Sequence, residues 1–218
     1  MGGVVGHKFQ PEEYLRFSTI LFIAGIIVGI LITIISGSGL FIVGVVGVLL
    51  TMLYSFFKFH ALGDLDIFII FGVLTVLGTT YAITGRYVPE ALLLSLPIGI
   101  ITVSVLHANN TVDTETDRAA GIKTFAMLIG LEASSRLYRC YMLLPFACIL
   151  VSVVARWLHP LALLCILAAI PAWKNFHQAS QYKHLGLDAM KGLDQASAKL
   201  QLVFSGLLSI GLFIAGLL

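Results

Sequence analysis

The chain has 218 residues, 59% of them hydrophobic and 11% charged, with a mean hydropathy of +1.01. A soluble domain is about half apolar and about a quarter charged, so this composition excludes an ordinary water-soluble fold and makes the lipid bilayer the main solvent. The net charge of +2 is too small for a nucleic-acid binder.

Crossing a bilayer takes about 20 apolar residues in a helix. Seven stretches qualify, in chain order: Phe17 to Ser36, Gly39 to Phe57, Asp66 to Thr84, Pro89 to Leu106, Leu137 to Ala155, Pro160 to Trp173, and Leu202 to Leu218. The first two are joined only by Gly37 and Ser38, and the sixth is short. The runs are continuous, without a period of two, which argues against strands. The sequence therefore predicts an all-α, polytopic bundle of about seven transmembrane helices. Glycines inside the spans, such as Gly44 and Gly47, allow close helix approach. Cys140, Cys148 and Cys165 lie in apolar stretches without metal-ligand spacing and read as small packing residues. The first dozen residues are mixed and polar and show no cleavable signal peptide.

Counting basic residues by connector gives the orientation. Lys8, Arg16, Lys58, Arg118, Lys123, Arg136, Arg139, Lys174, Lys183, Lys191 and Lys199 fall on the N-terminal side; Arg86 and Arg156 fall on the other. The positive-inside rule places the first, basic face in the cytoplasm. Of the acidic residues, Glu90 alone lies on the opposite face. A site is expected on the basic face.

The densest polar segment follows the fourth span: His107-Ala108-Asn109-Asn110-Thr111-Val112-Asp113-Thr114-Glu115-Thr116-Asp117-Arg118. In a continuing helix, Asn109, Asp113 and Asp117 recur at i, i+4 and i+8 and share a face. Two carboxylates one turn apart repel unless a cation lies between them. Oxygen ligands of this kind suit Mg²⁺, which retains waters and bridges carboxylates to substrate phosphates. The competing reading is a solvated helix end. Gly121 is a candidate helix breaker that returns Lys123 toward the acidic face, where a cation would serve a diphosphate. At the end of the second span Tyr54 and Lys58 are four apart on one face, as a hydrogen-bond donor and a second phosphate contact; interfacial anchoring is the alternative. The loop from Lys174 to Lys199, with His177, His184, Asp188 and Asp194, is long enough to cap this face, but its histidine spacing matches no metal site.

The pattern Asn109-Asn110-x-x-Asp113-x-x-x-Asp117-x-x-x-Gly121-x-Lys123-Thr124 resembles the second aspartate motif of UbiA-type intramembrane prenyltransferases. It is most similar to the menaquinone branch, which joins 1,4-dihydroxy-2-naphthoate to a polyprenyl diphosphate, and to its animal relatives. Leu62-Gly63-Asp64, Tyr54 with Lys58, His107, and Asp194-Gln195-Ala196-Ser197-Ala198-Lys199 look like the same branch, so the resemblance covers nearly the whole chain. It implies Mg²⁺ held by Asp113 and Asp117, and diphosphate or substrate contacts from Tyr54, Lys58, His107, Asn109, Asn110, Arg118 and Lys123. It also implies a polyprenyl diphosphate and an aromatic acceptor as partners, and the bacterial inner membrane as location. Val112 stands where the branch usually has arginine. The family has nine spans and a first aspartate motif after the second; this chain, read as one domain over residues 1–218, has neither the extra spans nor that motif. Gly2-Gly3-Val4-Val5 and Pro11-Glu12-Glu13-Tyr14-Leu15-Arg16 look like the connector into the family's third helix. The expectation is an N-terminally shortened chain with severely impaired turnover. The alternatives are a non-catalytic scaffold derived from such an enzyme and a small transporter; the absence of a mid-span ionisable residue speaks against the transporter.

Overall fold

The computed structural model describes residues 10–218, so Gly2 to Val5 and Lys8, named above, lie outside the described residues. Among these residues there is no strand, and seven helices are long and apolar enough to span a membrane. They are α1 (Pro11–Ser36), α2 (Gly39–Phe59), α3 (Gly63–Thr84), α4 (Pro89–Val112), α7 (Leu131–Val154), α8 (Pro160–Ser180) and α10 (Leu193–Ala215). Short helices α5 (Thr114–Ala119), α6 (Phe125–Ile129) and α9 (Tyr182–Leu185) lie in the connectors. The expected all-α bundle of seven spans is what the chain forms.

Local chemistry accounts for many ends. Proline opens α1, α4 and α8 at the first helical position, where its missing N–H costs nothing. Gln10 N–H also donates to Glu13 across the first turn of α1, at 2.8 Å. At the far end of α3, Gly85 adopts φ +67°, the left-handed conformation that stops a helix and suits glycine. Helices depart from the apolar runs in one direction only. Every span extends beyond its run on the basic face: α1 begins at Pro11 rather than Phe17, α4 continues past Leu106 to Val112, and α7 begins at Leu131 rather than Leu137. Likewise α8 continues past Trp173 to Ser180 and α10 begins at Leu193 rather than Leu202. On the other face the ends fall at or within a few residues of the limits of the apolar runs.

The packed core lies among α4, α7, α8 and α10, where Ile101, Tyr138, Met142, Leu200 and Phe204 are fully buried. Phe204 meets Phe146 edge-on at 5.4 Å. Tyr138 Oη pairs with Ser197 Oγ at 2.7 Å and donates to Leu193 O at 3.3 Å, tying α7 to α10. In α1 and α2, by contrast, no residue is buried, and their apolar side chains face outward as lipid-facing helices do. At the end away from the basic face these two helices are tied to α3 and to the connector that follows it by polar contacts. Ser36 Oγ donates to Ala82 O (2.9 Å), Gly39 N–H donates to Tyr81 Oη (3.2 Å), and Tyr87 Oη donates to Gly39 O (2.8 Å).

α3 and α4 meet backbone to backbone at Gly72 and Gly99, with the Phe68 ring packed against Gly99. A Cβ on Gly72 would stand 2.7 Å from the Cα of Gly99, and one on Gly99 would stand 2.8 Å from the Phe68 ring. Close approach through small residues is a common way to join helices where lipid removes the hydrophobic drive. The same part of α3, Phe68–Leu74, is wound as a π-helix. Such widened turns are rare and frequent near functional sites.

Candidate active site

The two polar motifs meet at the basic face through their connectors. α5 ends in paired turns: Ile122 N–H donates to Asp117 O at 2.9 Å and Gly121 N–H to Arg118 O at 3.1 Å, with Gly121 at φ +72°. This satisfies carbonyls a helix end would leave open. The chain then turns back, and Lys123 O accepts from Ala61 N–H at 2.8 Å. Ala61, itself at φ +60°, lies in the connector between α2 and α3. One backbone hydrogen bond thus joins the segment carrying Asp113 and Asp117 to the segment carrying Lys58 and Asp64.

Helical hydrogen bonding persists through the aspartate motif: Asp113 N–H donates to Asn109 O (2.9 Å) and Asp117 N–H to Asp113 O (2.8 Å), although the α-helix proper pauses at Asp113. Burial pushes the Asp117 carboxyl above its ordinary range; Lys58 partly opposes this, and Asp113 adds to it. Lys58 and Asp113 thus both act on the Asp117 carboxyl. The Tyr54 hydroxyl lies in the field of Asp66, Asp64 and Asp117, which brings it to the same group. Arg118, Lys123 and Asn109 are exposed at this face.

Asn109 and Asn110 separate. Asn110 is buried, with Nδ2 at 3.4 Å from Asp64 Oδ1, whereas Asn109 is not drawn into that contact. His107, fully buried, places Nδ1 at 2.6 Å from Asp64 Oδ2. With Asp64 ionised, Nδ1 must be the protonated nitrogen, because a carboxylate only accepts. Tyr141 meets the imidazole edge-on at 5.5 Å and Phe125 lies 6.3 Å away, while His107 Nε2 has no hydrogen-bond partner. A cavity of about 430 Å³ opens beside this group, with Asp64, Phe68, Phe125 and Tyr141 in its wall.

Asp64 follows the Tyr54–Lys58 cluster in sequence, whereas Asp66, Phe125 and Tyr141 carry no motif that marks them. Asp66 is 3% exposed and neither of its carboxylate oxygens has a partner. The available signal was two acidic residues at the start of an apolar span, where ionisable groups are costly and so point to function. Among the described residues no three His, Cys, Asp or Glu side chains converge as a ready metal cage. The connector after α8 is folded, as α9 and the 3₁₀ turn Gly186–Met190, and Gln178 Nε2 holds its far end by donating to Lys191 O (2.9 Å) and Ala189 O (3.2 Å).

The sequence matches the UbiA prenyltransferase family over residues 4–190. It is 32% identical over 219 residues to UbiA prenyltransferase domain-containing protein 1 of Homo sapiens, covering 97% of this chain and 62% of that protein. The Xenopus tropicalis protein of the same name is 35% identical over 149 residues, which is 66% of this chain and 43% of that protein. The Drosophila melanogaster homolog is 33% identical over 150 residues, 66% of this chain and 42% of that protein. The chain thus spans less than two thirds of the length of the curated relatives it matches. These relatives are animal proteins and lend a bacterial inner membrane no support. No solved structure matches the chain. With a family match across most of its length, over a helical bundle whose two polar motifs meet at one face, the chain belongs to the UbiA prenyltransferase family.

Proposed function

We propose that this protein transfers a polyprenyl group from its diphosphate to a hydroxyaromatic quinone precursor, such as 1,4-dihydroxy-2-naphthoate, at the basic face of the bundle. The observation that carries this reading is the joining of the two motifs by the Ala61–Lys123 hydrogen bond, with Lys58 close enough to act on the Asp117 carboxyl. Lys58, Arg118 and Lys123 offer cations, and Tyr54 a hydroxyl, to a diphosphate. The family's usual arginine is replaced by Val112, so Lys58 bears more of that task here.

The residues fit Mg²⁺. Two carboxylates one turn apart, one of them held above its usual range by burial and by its neighbour, form a half-site whose negative charge Lys58 only partly offsets. Mg²⁺ retains waters and takes its remaining oxygens from substrate phosphates, so two protein carboxylates suffice. Bound there, the ion would neutralise charge that grows on the diphosphate as the allylic carbon–oxygen bond breaks. The chain's own part is to hold the diphosphate at the basic face, with Lys58 and Tyr54 directed at its oxygens. The apolar spans keep water from the allylic cation. The positive-inside bias puts this face in the cytoplasm.

The test uses the chain in lipid nanodiscs and reads Mg²⁺-dependent binding of geranylgeranyl diphosphate, then turnover with 1,4-dihydroxy-2-naphthoate. Saturable binding that requires Mg²⁺ and falls at least tenfold in Asp117→Asn supports the assignment. Binding indifferent to both Mg²⁺ and the substitution overturns it.

A further inference from the structure

We infer that Asp64 anchors the aromatic acceptor, accepting a hydrogen bond from a ring hydroxyl inside the 430 Å³ cavity. The inference rests on the transferase reading and adds where the acceptor sits and which group orients it. Its size falls in the range of small-molecule sites, roughly 300–1,000 Å³. Phe68, Phe125 and Tyr141 give the wall flat faces suited to a ring, and Leu65 and Val103 fill between them. Asp64 is the one charged group among its lining residues.

The chemistry of that wall selects its occupant. A carboxylate only accepts hydrogen bonds, so it favours a donor and repels the phosphate end of a prenyl donor. Asp64 is 7% exposed, and its two oxygens are turned toward His107 Nδ1 and Asn110 Nδ2. Each oxygen has a second lone pair, and the 3.4 Å contact with Asn110 leaves Oδ1 weakly engaged. The imidazole behind the carboxylate is wholly buried, cannot swing away, and keeps Asp64 in one orientation. Asp64 is the one charged acceptor in a largely apolar, aromatic-walled cavity, so a donor carried in by a ligand finds its partner in the remaining lone pairs of that carboxylate. A ring hydroxyl supplies that donor, and the ring supplies the contacts the walls lack.

The experiment compares two neutral probes under anaerobic conditions: 1,4-dihydroxynaphthalene and its dimethyl ether, which has the ring but no hydroxyl donor. Binding to the chain in nanodiscs is measured by equilibrium dialysis and corrected for partition into protein-free discs. The expected result is saturable binding of the diol to the parent chain, at least tenfold tighter than the ether. Asp64→Asn should weaken the diol at least tenfold, leave the ether unchanged, and leave Mg²⁺-dependent geranylgeranyl diphosphate binding intact. Equal affinity for diol and ether overturns the inference, as does unchanged diol binding in the variant. Loss of both probes together in Asp64→Asn assigns the residue to structure and also overturns it. So does the absence of saturable diol binding to the parent chain. Failure of diphosphate binding in the parent chain counts instead against the transferase reading, so the two failures are distinguishable.

Discussion

Replacing Gly72 by alanine should separate α3 from α4. The new methyl group would stand 2.7 Å from Gly99 Cα and 3.3 Å from both Gly99 N and Ser95 O. Carbon–carbon contacts are comfortable at about 3.5–4.0 Å, so the helices must part by about 1 Å. All three neighbours are backbone atoms, which cannot rotate aside as a side-chain tip would. Overpacking of this kind costs about 1–3 kcal/mol. A second effect is geometric, since α3 carries Asp64 and α4 carries His107, whose 2.6 Å contact depends on the same crossing. The assay is thermal unfolding in detergent, with Gly44→Ala as control because a Cβ there meets nothing within 4 Å. The control should match or exceed the parent chain, as alanine is the better helix former. Gly72→Ala as stable as the parent, or a control that loses as much, would refute the argument.

Three further outcomes are expected. Burial first, and then the like charge of Asp113, disfavour the ionised Asp117 carboxyl, so Asp117→Asn should stabilise the metal-free chain at neutral pH, by at least about 0.2–0.5 kcal/mol, the size of an i,i+4 like-charge penalty. The sign follows from the raised Asp117 carboxyl: the stability it contributes is full below the ordinary value of 3.8 and is lost as pH rises through the folded value. The gain from asparagine should accordingly shrink toward pH 4 in a pH series of melting temperatures, and a gain that grows on acidification would contradict it. Tyr138→Phe removes the buried hydroxyl shared with Ser197 and Leu193 and should cost about 1 kcal/mol, read as a lower unfolding midpoint. Gly121→Ala forces a side chain into φ +72° and should cost about 1–2 kcal/mol or free the loop, seen as faster amide exchange at Ala61.

The apolar runs were legible because a bilayer demands length and hydropathy, and those are properties of the local sequence. The helix ends on the basic face were not, because hydropathy stops at Leu106 or Trp173 while hydrogen bonding continues through polar residues to Val112 and Ser180. The i, i+4, i+8 spacing correctly suggested that helical bonding runs from Asn109 to Asp117. It could not foresee that Asn110, one residue along, would turn to Asp64. That pairing joins residues 46 positions apart, and the His107 contact joins residues 43 apart. Neither separation leaves a periodic trace. The π-wound turn of α3 was likewise invisible: Phe68–Leu74 is as apolar as its flanks, and no local pattern encodes its winding.

The one-sided overhang of the helices sets a depth. Six further residues at 1.5 Å each lift the ends of α4 and α7 about 9 Å above the apolar runs. The polar headgroup layer of a bilayer is of similar thickness, about 5–8 Å on each side of the hydrocarbon. With the apolar runs in hydrocarbon, Asp113 at the end of α4 therefore stands at about the height of the lipid phosphates. A molecule with an apolar tail and a charged head already floats at that height. It can drift in sideways from the leaflet with its tail still among the acyl chains and its head still among phosphates, and neither end has to change solvent on the way.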